Sequence, residues 1–125
     1  PAWIRGLDHR VDSHNFGSRD LTDISSARLA AQGAGVGDAT PDVAELHAPF
    51  THQHALLVDA LGLGDGVTVN PSGGALAANP MMAAGLLRLG EVANRIMAGE
   101  VDRGVAHATS GHLLQQNLVA VLEGA

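Results

Sequence analysis

Apolar residues at positions 21, 24, 27, 31 and 34 recur at the interval of one helix face, and this spacing predicts a helix over residues 21–34. Asp20 or Thr22 is placed to cap it, and Gly33 or Gly35 to end it. Residues 2–11 read as a strand carrying Arg5 and Arg10 outward, followed by a polar loop at 12–19. After a loop at 38–42, the run Val43-Ala44-Glu45-Leu46-His47 reads as a short strand, which Pro49 prevents from continuing. Thr51 is a good cap for a helix over 52–61 that stops at Gly62. Residues 67–70 look extended, and 71–78 form a glycine-rich loop. Asn79 as cap and Pro80 in the first turn open the longest helix, which runs to Met97 or Ala98 with Gly99 beyond. Its first half is apolar all round, which predicts burial on several sides, and Glu91 is spaced to pair with Arg95. Residues 104–108 and 118–122 are two further strands, joined through a turn at 109–112.

Alternation of strands with helices argues for a mostly parallel sheet covered by helices on both faces. The short link between the last two strands makes that pair antiparallel. The expectation is therefore an α/β fold with a five-stranded mixed sheet, in one domain over residues 1–125.

Composition narrows the function classes. Aromatic residues are 2% of the chain, so the core must be built from Ala, Val, Leu and Ile. A net charge of −6, no Lys and scattered Arg exclude a phosphate-binding stripe and so argue against nucleic acid as partner. The absence of Cys removes disulfides, thiolate metal sites and cysteine nucleophiles from this chain. No run approaches the roughly 20 apolar residues of a membrane span, and no signal peptide is visible, so a cytoplasmic location is the default. The chain opens Pro1-Ala2-Trp3 without an initiator Met, and reads as a piece of a longer chain or one subunit of a split protein.

Three stretches carry a resemblance. Residues 43–50, Val-Ala-Glu-Leu-His-Ala-Pro-Phe, are similar to a strand end that reads Asn-Glu-Ala-Phe in most thiolases and Leu-His-Asp-x-Phe in sterol-carrier-type thiolases. Residues 69–76, with Asn70 and Ser72-Gly73-Gly74, are similar to that family's Asn-x-x-Gly-Gly loop. Residues 79–85, opening Asn79-Pro80, stand where the family has Gly-His-Pro-x-Gly-Ala-x-Gly. In this order and spacing the chain resembles the C-terminal half of the thiolase superfamily over nearly its whole length. The resemblance implies a thiolase-like half whose apolar helix packs centrally against an N-terminal half. It also implies a homo-oligomer or accessory subunit, and a coenzyme A thioester as substrate with no further cofactor. An acyltransferase or an aldol-type lyase of lipid metabolism follows, joined to the N-terminal half. The alternative is a non-catalytic acyl-CoA-binding or scaffold subunit. Departures weigh on the reaction: the family's histidine is Asn79 here, and its second cysteine falls near Ser110 or Gly111. Asn is no base at neutral pH and Ser is a far weaker acid than Cys.

Each candidate side chain has a plainer reading beside the chemical one. His47 closes a strand at the edge where ligands meet open α/β sheets. It is either held by local backbone or, as the resemblance implies, beside the thioester oxygen as donor or base. Asn79 is either a helix cap or an oxyanion donor. Ser110 and His112 are either turn residues or proton-moving groups, and His107 in the preceding strand reads as structural. The Ser72-Gly73-Gly74 loop either cradles a ligand or permits close packing; it lacks the Lys of a phosphate loop, and the resemblance implies a pocket floor. His47, His52 and His54 lie close enough in sequence to suggest a metal cluster, but His52 and His54 sit two apart in a first helical turn and face different ways, and no carboxylate or Cys completes the set, so no metal site is expected.

Overall fold

The computed structural model describes residues 1–15 and 17–125; residue 16, within the expected loop at 12–19, lies outside the described residues. Strand β1 (Trp3–Val11) leads to helix α1 (Ser25–Gly33), then β2 (Val43–Glu45), α2 (Thr51–Ala60) and β3 (Thr68–Val69). A short helix α3 (Gly74–Ala77) precedes α4 (Ala84–Met97), and β4 (Arg103–Ser110) and β5 (Gln116–Glu123) complete the chain. The described strands form one mixed five-stranded sheet in the order β3-β2-β4-β5-β1. β2 is parallel to β3 and β4, while β5 is antiparallel to both β4 and β1, so four strands point one way and β5 the other.

Helices cover both faces because the central strands alternate apolar residues between two cores. On β4 and β5, Val105, Val119 and Val121 face α1 and α2, where they pack with Ala27, Ala30, Ala31, Leu57 and Leu61. Ala106, Ala120 and Leu122 face the other way, against Val92 and Ile96 of α4. Small residues set the layer spacing. A Cβ at Gly6 of β1 would overlap the Ala34 carbonyl, and a Cβ at Gly85 would come within 2.7 Å of the Ala108 Cβ, so both helices lie close on the sheet.

Boundaries differ from the sequence reading in ways that have causes. α1 begins at Ser25 rather than 21, because the Asp20 carboxylate binds the Thr22 amide (2.8 Å) and hydroxyl (2.7 Å) in a local turn. Its first amides are served from a distance: the Asp12 carboxylate accepts from Ser26 N (3.1 Å) and from the hydroxyls of Ser25 and Ser26 (both 2.6 Å). Burial alone would raise the Asp12 carboxyl, but these hydrogen bonds from Ser25 and Ser26 outweigh it and hold it below its usual range. β2 stops at Glu45 rather than at 47, and Thr51 lies inside α2, with Phe50 at the cap position. The helix expected from Asn79 starts only at Ala84, and within this chain one apolar side of it is open, with Leu86 72% exposed and Met82, just ahead of it, 96% exposed. Arg95 pairs with Glu100 at 2.9 Å instead of with Glu91.

Candidate functional site

A cleft of about 410 Å³ opens beyond the C-terminal end of β2, lined by His47, Asn79, Thr109, Ser110, His112 and Gln53, with Met81 and Met82 on its lip. Three distant segments build it. Asn70, at a left-handed φ of 51°, accepts from Leu46 N through Oδ1 (2.6 Å) and donates from Nδ2 to His54 Nδ1 (3.2 Å). It thereby turns the chain off β2 and ties that turn to α2. His47, the next residue on, is 8% exposed. Thr109 N–H of β4 donates to its Nδ1 at 3.4 Å, which leaves Nε2 as the ring donor; Asn79 Oδ1 accepts from it at 3.0 Å. The resulting preference is for neutral imidazole. Burial lowers the His47 pKa below its ordinary value, against the Asn79 and Thr109 hydrogen bonds and with help from the nearby Arg88 charge.

With both ring nitrogens engaged, His47 orients Asn79. Asn79 is exposed at the cleft and commits its carbonyl oxygen to His47, which leaves its amide nitrogen as the side chain's donor. Asn79 is not the cap of α4, since that helix starts five residues further on with Ala83 at the cap position. Ser110 ends β4, exposed at the cleft wall, and His112 follows in the turn. The His112 carbonyl accepts from Gln53 Nε2 at 3.2 Å, fastening the turn to α2. Buried Leu114, at a φ of 56° that bulky residues rarely adopt, is held by Asn117 Nδ2 donating to its carbonyl (2.8 Å).

The structure brings His47, Asn79, Ser110 and His112 together, but Ser72, Gly73 and Gly74 do not line this cleft. Ser72 faces inward: its amide (3.0 Å) and hydroxyl (2.7 Å) donate to the carboxylate of fully buried Glu45, and Gly74 N donates to Ser72 Oγ (3.2 Å). Arg88, 3% exposed, places Nη1 3.5 Å from the same carboxylate. The glycine loop is thus lashed to a buried ion pair beneath the cleft. Sequence reasoning missed this pair, although each member interrupts an apolar run (Val43-Ala44-Glu45-Leu46 and Leu86-Leu87-Arg88-Leu89), and a charge inside such a run is itself a signal. It also missed Gln53, whose Oε1 is buried with no hydrogen-bond partner among the described residues.

His107 is structural, as expected. Its Nε2 donates to Asn117 Oδ1 (2.8 Å), Asn117 Nδ2 donates to Ser26 Oγ (2.7 Å), and Ser26 Oγ donates to Asp12. Complete burial pushes its pKa down to about 4. Of the remaining histidines, His54 meets Asn70 and His52 stacks on Phe50. Among the described residues no group of three or more His, Asp or Glu is placed to hold a metal ion, and no helix is long and apolar enough to cross a membrane. The chain matches no known family and no curated protein.

Proposed function

We propose that this chain is the second lobe of a two-lobed, thiolase-like protein acting on acyl-CoA thioesters by acyl transfer or aldol-type carbon–carbon cleavage. The observation that carries the reading is the 3.0 Å hydrogen bond between His47 and Asn79, which joins two distant segments in one cleft. In this reading the Asn79 amide donates to the thioester carbonyl oxygen. That donation strengthens as the oxygen gains negative charge during addition at the carbonyl carbon. Ser110 or His112 moves a proton at the same wall. The nucleophile comes from the N-terminal lobe, since this chain has no Cys. Among the described residues no Arg lines the cleft, and the chain has no Lys, so in this reading the phosphates of coenzyme A are held by the other lobe as well. The uncovered apolar side of α4, with Leu86 72% and Met97 60% exposed, supports a packed partner lobe.

In the intact two-lobed protein, Asn79→Ala is expected to lower acyl-CoA turnover about 100-fold, the usual loss for one oxyanion donor, with unchanged circular dichroism. His47→Ala lowers it in the same direction by releasing Asn79. Unchanged turnover in both variants overturns the reading. A second reading is favoured by one observation: both His47 ring nitrogens are engaged, so the cleft presents no free imidazole base there. In that reading the chain binds acyl-CoA without catalysis, and the same experiment returns binding with no turnover to lose.

A further inference from the structure

A second concavity of about 600 Å³ lies along the outer side of α2, beside the cleft. Its walls are Leu21, Ala55, Leu56, Leu113 and Leu114, and Asp59 stands on its rim. The two spaces are neighbours through shared and consecutive residues. Gln53 lines both, His112 lines the cleft where Leu113 lines the groove, and Phe50 lines the cleft where His52 lines the groove. Gln53 is 4% exposed; its Nε2 is spent on the His112 carbonyl, and its Oε1 has no hydrogen-bond partner among the described residues.

We infer that this groove, which shares its Gln53 wall with the cleft, holds the apolar acyl group of the thioester whose carbonyl sits at Asn79. The inference rests on the thioester reading above. Groove chemistry selects the occupant. Leucine and alanine walls take hydrocarbon, while Asp59 at the rim and the net charge of −6 oppose a free carboxylate or a phosphate head. A volume of this size holds a medium or long acyl chain and suits a single small molecule rather than a protein surface. The apolar strip beside α4 differs: it merges with broadly exposed Ile4, Leu7 and Leu86, as a protein interface does.

The test uses acyl thioesters of N-acetylcysteamine, which carry no phosphate, with acetyl, butyryl, octanoyl and dodecanoyl groups, titrated calorimetrically into the protein. Affinity is expected to rise with chain length, on the order of threefold per added methylene at its steepest. Ala55→Phe and Leu21→Trp both fill the groove from exposed positions, so one of them serves if the other fails to fold. Each should abolish the rise and leave acetyl affinity within about twofold, whereas Asn79→Ala weakens every member of the series equally. Affinity flat with chain length, or a rise that survives both filling variants, overturns the groove assignment while leaving the thioester reading intact. Equal affinity for dodecanoyl thioester and dodecanol, with no effect of Asn79→Ala, overturns the thioester reading and with it this inference.

Discussion

The two faces of the sheet are finished to different degrees. Five strands about 4.8 Å apart make a surface roughly 20 Å wide, and a helix with its side chains covers about 10 Å. The face beneath α1 and α2 has its two helices and one continuous core reaching from Ile24 to Leu61 and Val121. On the opposite face, among the described residues, α4 is the one long helix, above Val43, Ala106, Ala120 and Leu122. Beside it an apolar strip of about 370 Å³ runs between Leu86, Leu89, Leu118, Ile4 and Leu7. Width alone therefore accounts for one missing helix of cover. The chain has also put its most expensive polar device, the Glu45–Arg88 pair, under the helix of the less finished face.

That pair gives the largest expected effect. Glu45→Leu leaves the buried Arg88 guanidinium without its counter-charge and strips Ser72 of its acceptor, and is expected to cost about 3–5 kcal/mol, measured as the urea unfolding midpoint. Adding Arg88→Met should recover most of that loss, because an apolar pair of similar volume replaces an ion pair. A single-variant cost below about 1 kcal/mol, typical of exposed pairs, would place the α4 face in water and erase the contrast between faces.

The finished face answers to acid instead. His107 is buried and neutral with its pKa pushed down to about 4, whereas the unfolded chain takes up that proton near its ordinary value of 6.5. Its contribution is thus fully present above pH 6.5 and is lost as the pH falls toward 4, a total of roughly 3 kcal/mol by linkage. His47, also lowered by burial, acts in the same direction. The His107 share is therefore read as the difference between the stability–pH slopes of wild type and His107→Leu. Equal slopes between pH 6.5 and 4 would show that His107 is not enclosed.

What the sequence discloses and what it conceals follow the range of the interaction involved. The strands and helices were legible because alternation and helical spacing are local, and so was the structural role of His107 within β4. The start of α1 was not, since its acceptor is Asp12, thirteen residues before Ser25 and fourteen before Ser26, while Asp20 spends itself on Thr22. The start of α4 failed for the same reason: Asn79 is a good cap by type, but His47 claims its oxygen from thirty-two residues away. His47, Asn79, Ser110 and His112, singled out by their places at element ends and by the family resemblance, meet in one cleft. Between a ligand loop and close packing at Ser72 the sequence does not decide, because nothing local shows that Glu45 takes both of its donors. Gln53 escaped because its meaning lies in two cavities that exist only after folding.

The smallest effect is the one that most sharpens the comparison between faces. Leu86 is 72% exposed on α4, so Leu86→Glu gives up little buried area and should change unfolding free energy by no more than about 0.5 kcal/mol, as surface substitutions do. Ala30→Glu on α1, at a position wholly excluded from solvent against the sheet, buries an unpaired charge and should prevent folding. The same Leu86→Glu change puts a charge in the middle of the apolar strip, so association through that strip should weaken. Sedimentation velocity across a concentration series reads this directly, with the variant expected to be monomeric where the wild type forms larger species. A loss of more than about 2 kcal/mol in the isolated variant, on the scale of burying a large apolar side chain, would mean that Leu86 is already covered within the single chain. The face would then be finished after all, and the room left for a partner lobe would be gone.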